Sequence, residues 1–236
     1  MKYLKDETFF VDADSAEDIS EPTIMLENRA GDLRQQLLAT PGDRDPRGRA
    51  DLLLESSRVL LRLEKAGEAW AAAREAFDLF LSIDGWEGAI QACDVLFAAD
   101  QPDSLAALGQ GVWLAVSFPV DPELSVALLE HIIEETPDDS QGAAVAAITA
   151  HYVVDMRAPE GKLRENLLFY TNRLLVTVAR RLAKIEEQKA FDQWFKSLEL
   201  DDPAKFLPRL RNIVDVLVQD QWWFDRAALQ SRMPVN

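Results

Sequence analysis

The sequence predicts an all-α protein: antiparallel helical hairpins stacked as an α-solenoid, with a C-terminal helical bundle or cap. Three observations predict it. Break signals recur at Gly67, Gly85, Pro102, Pro119 and Pro137, 17 or 18 residues apart, and each interval holds one Ala/Leu-rich apolar run. Two intervals make a period of about 35 residues, close to that of two-helix solenoid repeats. Few stretches alternate strictly between apolar and polar residues, and most of the 10 Gly and 11 Pro fall between periodic runs, so the pattern favours helices over strands. The third observation is electrostatic: from Glu75 to Met156 there are 15 Asp/Glu and no Lys or Arg. A solvated helix face ordinarily mixes signs, because i,i+4 ion pairs stabilise it and like charges repel. Such a stretch points to selection for the field itself, or to compositional bias.

Met1 to Pro22 reads as an N-terminal arm. Phe9-Phe10-Val11 suits a short strand or a groove-docking segment, and the acidic, non-periodic residues after it suit a loosely packed terminus. Thr23 to Ala39 reads as a helix with Met25, Leu26, Leu33, Leu37 and Leu38 on its apolar face, stopped by Thr40-Pro41-Gly42-Asp43. Asp45 caps the next helix and Pro46 occupies its first position. That helix runs to about Ala66 through Leu53, Leu54, Ser57, Leu60, Leu61 and Leu63.

The following helix holds Trp70, Ala73, Phe77 and Phe80 and ends at Leu81-Ser82-Ile83-Asp84-Gly85. Trp70, Ala73 and Phe77 have the spacing of the second-helix signature of tetratricopeptide-type repeats. Leu81 to Gly85 stands where that family has its helix-ending Leu-x-Leu-Asp-Pro. The chain resembles the family over one repeat, about Leu52–Gly85. It departs from the pattern at Leu60-Leu61, where a Leu-Gly pair is expected, and at Gly85, where the family has Pro. The resemblance implies repeat architecture and nothing more specific.

Four further apolar runs follow. Trp86–Ala99 presents Ile90, Cys93, Leu96 and Phe97; Ser104–Ser117 presents Leu105, Leu108, Val112 and Val116; Glu123–Glu135 presents Leu124, Leu128 and Ile132; Ser140–Met156 presents Ala144, Ala147, Ile148 and Val154. Ala158-Pro159-Glu160-Gly161 then interrupts the pattern. Beyond it a long helix over Gly161–Gln188 carries a seam of Leu163, Leu167, Tyr170, Leu174, Val178, Leu182 and Ile185, the spacing of bundle or coiled-coil packing. A shorter helix follows around Phe191, Trp194 and Phe195. Asp202-Pro203 starts another, with Pro208 early in it and Phe206, Leu210, Ile213, Leu217 and Val218 on its buried side. Trp222-Trp223-Phe224 reads as a core-capping helix or as an exposed aromatic anchor. The domain reading is an arm at 1–22, an acidic helical-repeat domain at 23–157 and a C-terminal helical subdomain at 158–236.

Composition narrows function. Net charge is −16, of which residues 1–160 carry −19 and Gly161–Asn236 carry +3. A negative field repels nucleic acid and attracts basic proteins. No run suits a membrane span, the N-terminus lacks a signal-peptide core, and a cytoplasmic protein is expected. Cys93 is the single cysteine, so no internal disulfide or multi-Cys metal site is possible; helical spacing among apolar residues points to a buried, inert thiol. No phosphate-binding Gly-rich loop or nucleophile elbow exists. The best enzyme case is a divalent-metal site from His131, Glu134, Glu135, His151 and Asp155, with each His four residues from a carboxylate. The alternative is that both histidines are core-edge residues. Neither has the Glu three residues before it that di-iron bundles use; those positions are Leu128 and Ile148.

The reading is a non-catalytic adaptor, assembly chaperone or regulatory subunit, with no cofactor and no metal. Its partner is another protein with a basic surface, and the C-terminal helices offer a homodimer seam. The expected partner-binding residues are Glu75, Asp78, Glu87, Asp94, Glu130, Glu134, Trp222 and Trp223. Two other classes stay open: an inhibitor that mimics nucleic acid with its carboxylates, and the metal-dependent helical enzyme.

Overall fold

The computed structural model describes residues 2–4 and 23–232. Phe9-Phe10-Val11, read as a strand or docking segment, lies outside the described residues. Among those described, eleven helices and no strands are found: α1 Thr23–Ala39, α2 Pro46–Arg62, α3 Ala66–Ser82, α4 Trp86–Ala98, α5 Ser104–Ser117, α6 Pro122–Glu135, α7 Gly142–Arg157, α8 Lys162–Ala183, α9 Gln188–Ser197, α10 Pro203–Val218 and α11 Arg226–Gln230. The protein is all-α. From α2 to α8, successive helices start 18 to 20 residues apart.

The pitch expected from Gly and Pro is kept, but other residues make some of the breaks. Gly67 lies inside the first turn of α3, not between helices. The chain turns instead at Glu64 (φ 58°), Asp84 (φ 54°) and Asp100 (φ 48°), each in the left-handed region just past a helix. Lys65 N–H then donates to Leu60 O at 2.9 Å, and Gly85 N–H to Phe80 O at 2.8 Å, satisfying carbonyls at the helix ends. Asp tolerates this conformation better than Glu, since a short polar side chain bonds locally. Glu64→Gly is therefore expected to stabilise the protein by about 1 kcal/mol, seen as a higher urea midpoint; a lower midpoint contradicts this account of the turn.

Two compact units divide the chain within α5. One is Lys5–Gly111; the other is Val112–Asn236 with Met1–Leu4. The boundary read at residues 157 and 158 falls inside the second unit. In the first unit α1 packs on α2, α2 on α3 and α3 on α4, and α2 also meets α4. Leu26, Leu33 and Val59 join α1 to α2, while Phe77, Phe80, Ile90 and Leu96 are fully buried further along. The apolar face read for α1 is too wide: Met25 is 57% exposed and Leu38 82%. Helix α1 packs on α2, so a narrow stripe is enough.

The contact of α3 with α4 depends on Gly88. A Cβ there would lie 2.4 Å from the Phe80 ring. Phe80 is fully buried, so the ring has no free space into which to retreat.

In the second unit α6 packs on α7, α7 on α8 and α10, and α6 also meets α8. Five buried alanines of α7 (Ala143, Ala144, Ala146, Ala147 and Ala150) give the central helix a slim surface for several neighbours. The α8 seam is used within the unit: Leu167 and Val178 are buried, as is Leu175, which the seam reading omitted. Leu163 is 44% exposed. Helix α8 is shorter than expected, stopping at Lys184, which takes the left-handed cap. Trp222-Trp223-Phe224 is not helical; the five-residue α11 begins only at Arg226. At the other end of this unit's sequence, Tyr3 N–H (2.6 Å) and Leu4 N–H (3.2 Å) donate to Oε1 of the buried Glu123.

Candidate functional site

The sequence singled out the carboxylates of 75–156, and the structure shows what surrounds them. Seven lie in the first unit and eight in the second, by residue number. The reading that they have no base to pair with is corrected: arginines from outside the stretch fold back onto it. Glu75 pairs with Arg49 at 2.8 Å and Asp78 with Arg74 one turn before it. Asp138 lies 3.3 Å from Arg181, and Asp155 lies 2.6 Å from Arg164. Linear sequence hides the first and third of these pairs because packing brings together residues 26 and 43 positions apart.

Three of these arginines, together with Arg157, also serve helix ends. The last carbonyls of a helix lack internal partners and carry the negative end of its dipole, which a guanidinium satisfies well. Arg49 Nη1 donates to Leu37 O (3.1 Å) and Thr40 O (3.2 Å) beyond α1. Arg157 donates to Ala115 O (2.7 Å) and Val116 O (2.6 Å) at the end of α5. Arg164 donates to Asp155 O (2.6 Å) in the last turn of α7, and Arg181 to Ile133 O (2.9 Å) in that of α6. Arg181 Nε sits near Asp138 without an aligned hydrogen bond, so that contact is an electrostatic attraction only. Burial lowers the pKa of Arg157, yet a guanidinium stays protonated in proteins.

Of the remaining expected partner residues, Glu87 is exposed on α4 and Asp94 is half-buried seven residues on, on the same face. Between them Gln91 accepts a 2.6 Å bond from Arg58 of α2. Glu130 accepts from the Tyr170 hydroxyl, and Glu134 is exposed beside His131. Trp222 and Trp223 are half-buried. Trp222 packs on Trp113 at 6.0 Å between ring centroids and on Phe224 at 5.6 Å.

Charge is uneven along the chain: residues 23–157 hold 23 Asp/Glu and 10 Lys/Arg, a net of −13. Residues 5–22 alone hold 7 Asp/Glu and one Lys, a net of −6. Residues 23–111 hold 15 Asp/Glu and 9 Lys/Arg, again −6, and residues 112–232 hold 19 and 14, or −5. The unit Lys5–Gly111 therefore carries −12 and the other unit, which includes Lys2, −4.

The metal constellation does not assemble. His131 Nδ1 is 3.5 Å from Glu134, whereas His151 Nδ1 is 3.0 Å from the buried Thr171 Oγ1. Asp155, expected beside His151, is held by Arg164. Among the described residues no group of three or more His, Cys, Asp or Glu could hold a metal ion. Burial lowers the pKa of His151, with Asp155 pulling it up and Arg164 pushing it down. The unfolded chain therefore binds the proton more readily, and this group withdraws stability as pH falls below about 6.5. Burial pushes the Cys93 thiol far above its usual range, leaving it inert at neutral pH.

Sequence reasoning missed the arginines as structural residues. The available signal was indirect: several helices end in acidic or apolar residues, so their carbonyls need a donor from elsewhere. Among the described residues no helix is long and apolar enough to cross a membrane. No family model, curated protein or solved structure matches the chain.

Proposed function

We propose that the chain is a non-catalytic protein-interaction module of tetratricopeptide-like helical hairpins. It acts as an adaptor, assembly chaperone or regulatory subunit, offering carboxylates to a basic surface of another protein. The observation that carries the reading is the stretch from Glu75 to Met156, which holds 15 Asp/Glu and no Lys or Arg. Arginines from outside the stretch offset Glu75, Asp78, Asp138 and Asp155, fewer than its 15 carboxylates, so the stretch keeps a net negative field for a partner. The even spacing of helix starts and the contacts of α2 with α4 and of α6 with α8 support stacked hairpins.

The test is affinity capture from the native host by the wild type and by the double variant Glu87→Gln/Glu134→Gln. A basic protein is expected in the wild-type eluate, and the variant should hold it about fivefold less well. Equal capture by both, or capture of acidic proteins alone, contradicts the reading. Capture that nucleic acid displaces would instead favour the mimic.

A further inference from the structure

A cleft of about 570 Å³ opens in the second unit, lined by Trp113, Arg211, Trp222, Phe224, Arg226 and Gln230 among others. Its size falls in the range of small-molecule sites, roughly 300–1,000 Å³. Three aromatic rings form its apolar part. Trp113 stands 5.3 Å from Phe224 and 6.0 Å from Trp222, centroid to centroid. The Arg226 guanidinium lies 4.2 Å from the centre of the Trp222 ring.

The polar part sets two guanidiniums, Arg211 and Arg226, beside two carboxylates, Asp215 and Asp225. Asp225 accepts from Ala227 N–H (2.9 Å) and Ala228 N–H (3.1 Å), so its Oδ1 is directed to the start of α11. Asp215 accepts from Arg226 Nη1 at 3.0 Å and lies 3.7 Å from Arg211 Nε. The Nε/Nη2 edge of Arg226 and the Nη groups of Arg211 remain as donors. A cationic ligand would meet a guanidinium already placed on Trp222. A carboxylate would meet a planar fork that matches its own geometry.

We propose that this cleft binds a planar organic anion, an aromatic carboxylate. Its ring lies against the half-buried Trp222 and Phe224, which pack on the buried Trp113, and its oxygens lie on Arg226 and Arg211. The proposal is independent of the interaction reading and does not use the acidic stretch.

The test titrates the full chain with 2-naphthoate, its neutral amide and 2-naphthylmethylamine, read by calorimetry and by ligand-observed NMR. The carboxylate is expected to bind with a dissociation constant below ~1 mM, at least about tenfold tighter than the amide or the amine. Arg226→Gln should bring the carboxylate down to the affinity of the amide. Arg211→Gln, on an exposed side chain outside the core, should weaken it severalfold and keeps the test readable if Arg226→Gln disturbs α11. Three results each overturn the proposal: no carboxylate binding at that concentration, equal affinity for all three probes, or carboxylate binding that Arg211→Gln leaves unchanged.

Discussion

Arg157→Met is expected to lower the stability of the second unit by about 3 kcal/mol. Its two donors reach Ala115 O and Val116 O at 2.7 and 2.6 Å. Hydrogen bonds from charged donors contribute about 1.5–3 kcal/mol each, and the carbonyls left behind lose their partner. Ala115 O keeps a second donor, the Ser125 hydroxyl at 3.0 Å, which holds the loss below the sum of two full bonds. Met preserves much of the side-chain volume, so the change reports on the cap rather than on a cavity. Hydrogen exchange over residues 115–120, with urea unfolding, checks it. The matched control is Arg173→Met on the exposed side of α8, expected to stay within about 0.5 kcal/mol. Equal effects at the two positions would show that the α5 cap is not what Arg157 supplies.

Gly88→Ala is expected to cost about 2–3 kcal/mol, although Ala is the better helix former. The added Cβ would approach the Phe80 ring to 2.4 Å, inside any real carbon–carbon contact, in a fully buried setting. Phe80→Leu in the same chain should recover part of that loss, because the smaller side chain leaves the contact. A double-mutant cycle then shows a coupling of about 1 kcal/mol or more. Gly31→Ala is the contrast: no atom lies within 4 Å of its Cβ position inside α1, and a gain of about 0.5–1 kcal/mol is expected from propensity alone. If Gly88→Ala also stabilises, α3 and α4 do not pack as described.

These residues show what the sequence made legible and what it hid. Helix positions were readable because 3.6-residue periodicity and capping are local: α1 and α5 match the expected bounds, and Asp45, Asp121 and Asp202 cap α2, α6 and α10 through backbone N–H groups. Asp45 was expected as a cap and Asp202-Pro203 as a helix start; the same Asp-Pro pattern recurs at Asp121-Pro122. Interrupted segments were harder. The α8 pattern continues to Gln188, but the backbone stops at Lys184, because periodicity does not report a left-handed cap taken by a lysine. The candidate site was read from charge along the chain. The arginines that cap helix ends come from up to 48 residues away, and no one-dimensional pattern encodes that. Trp222 and Trp223 drew attention as dense aromatics, yet the ring that gathers Trp222 is Trp113, which lies inside an ordinary apolar helix.

The interaction reading requires that the carboxylate field bind a basic protein. The most direct measurement is the affinity of the purified protein for its captured partner across a series of NaCl concentrations. The account predicts affinity that falls steadily as salt rises, with a shallower slope for Glu87→Gln/Glu134→Gln. An affinity independent of salt, with the same slope for both proteins, would contradict it.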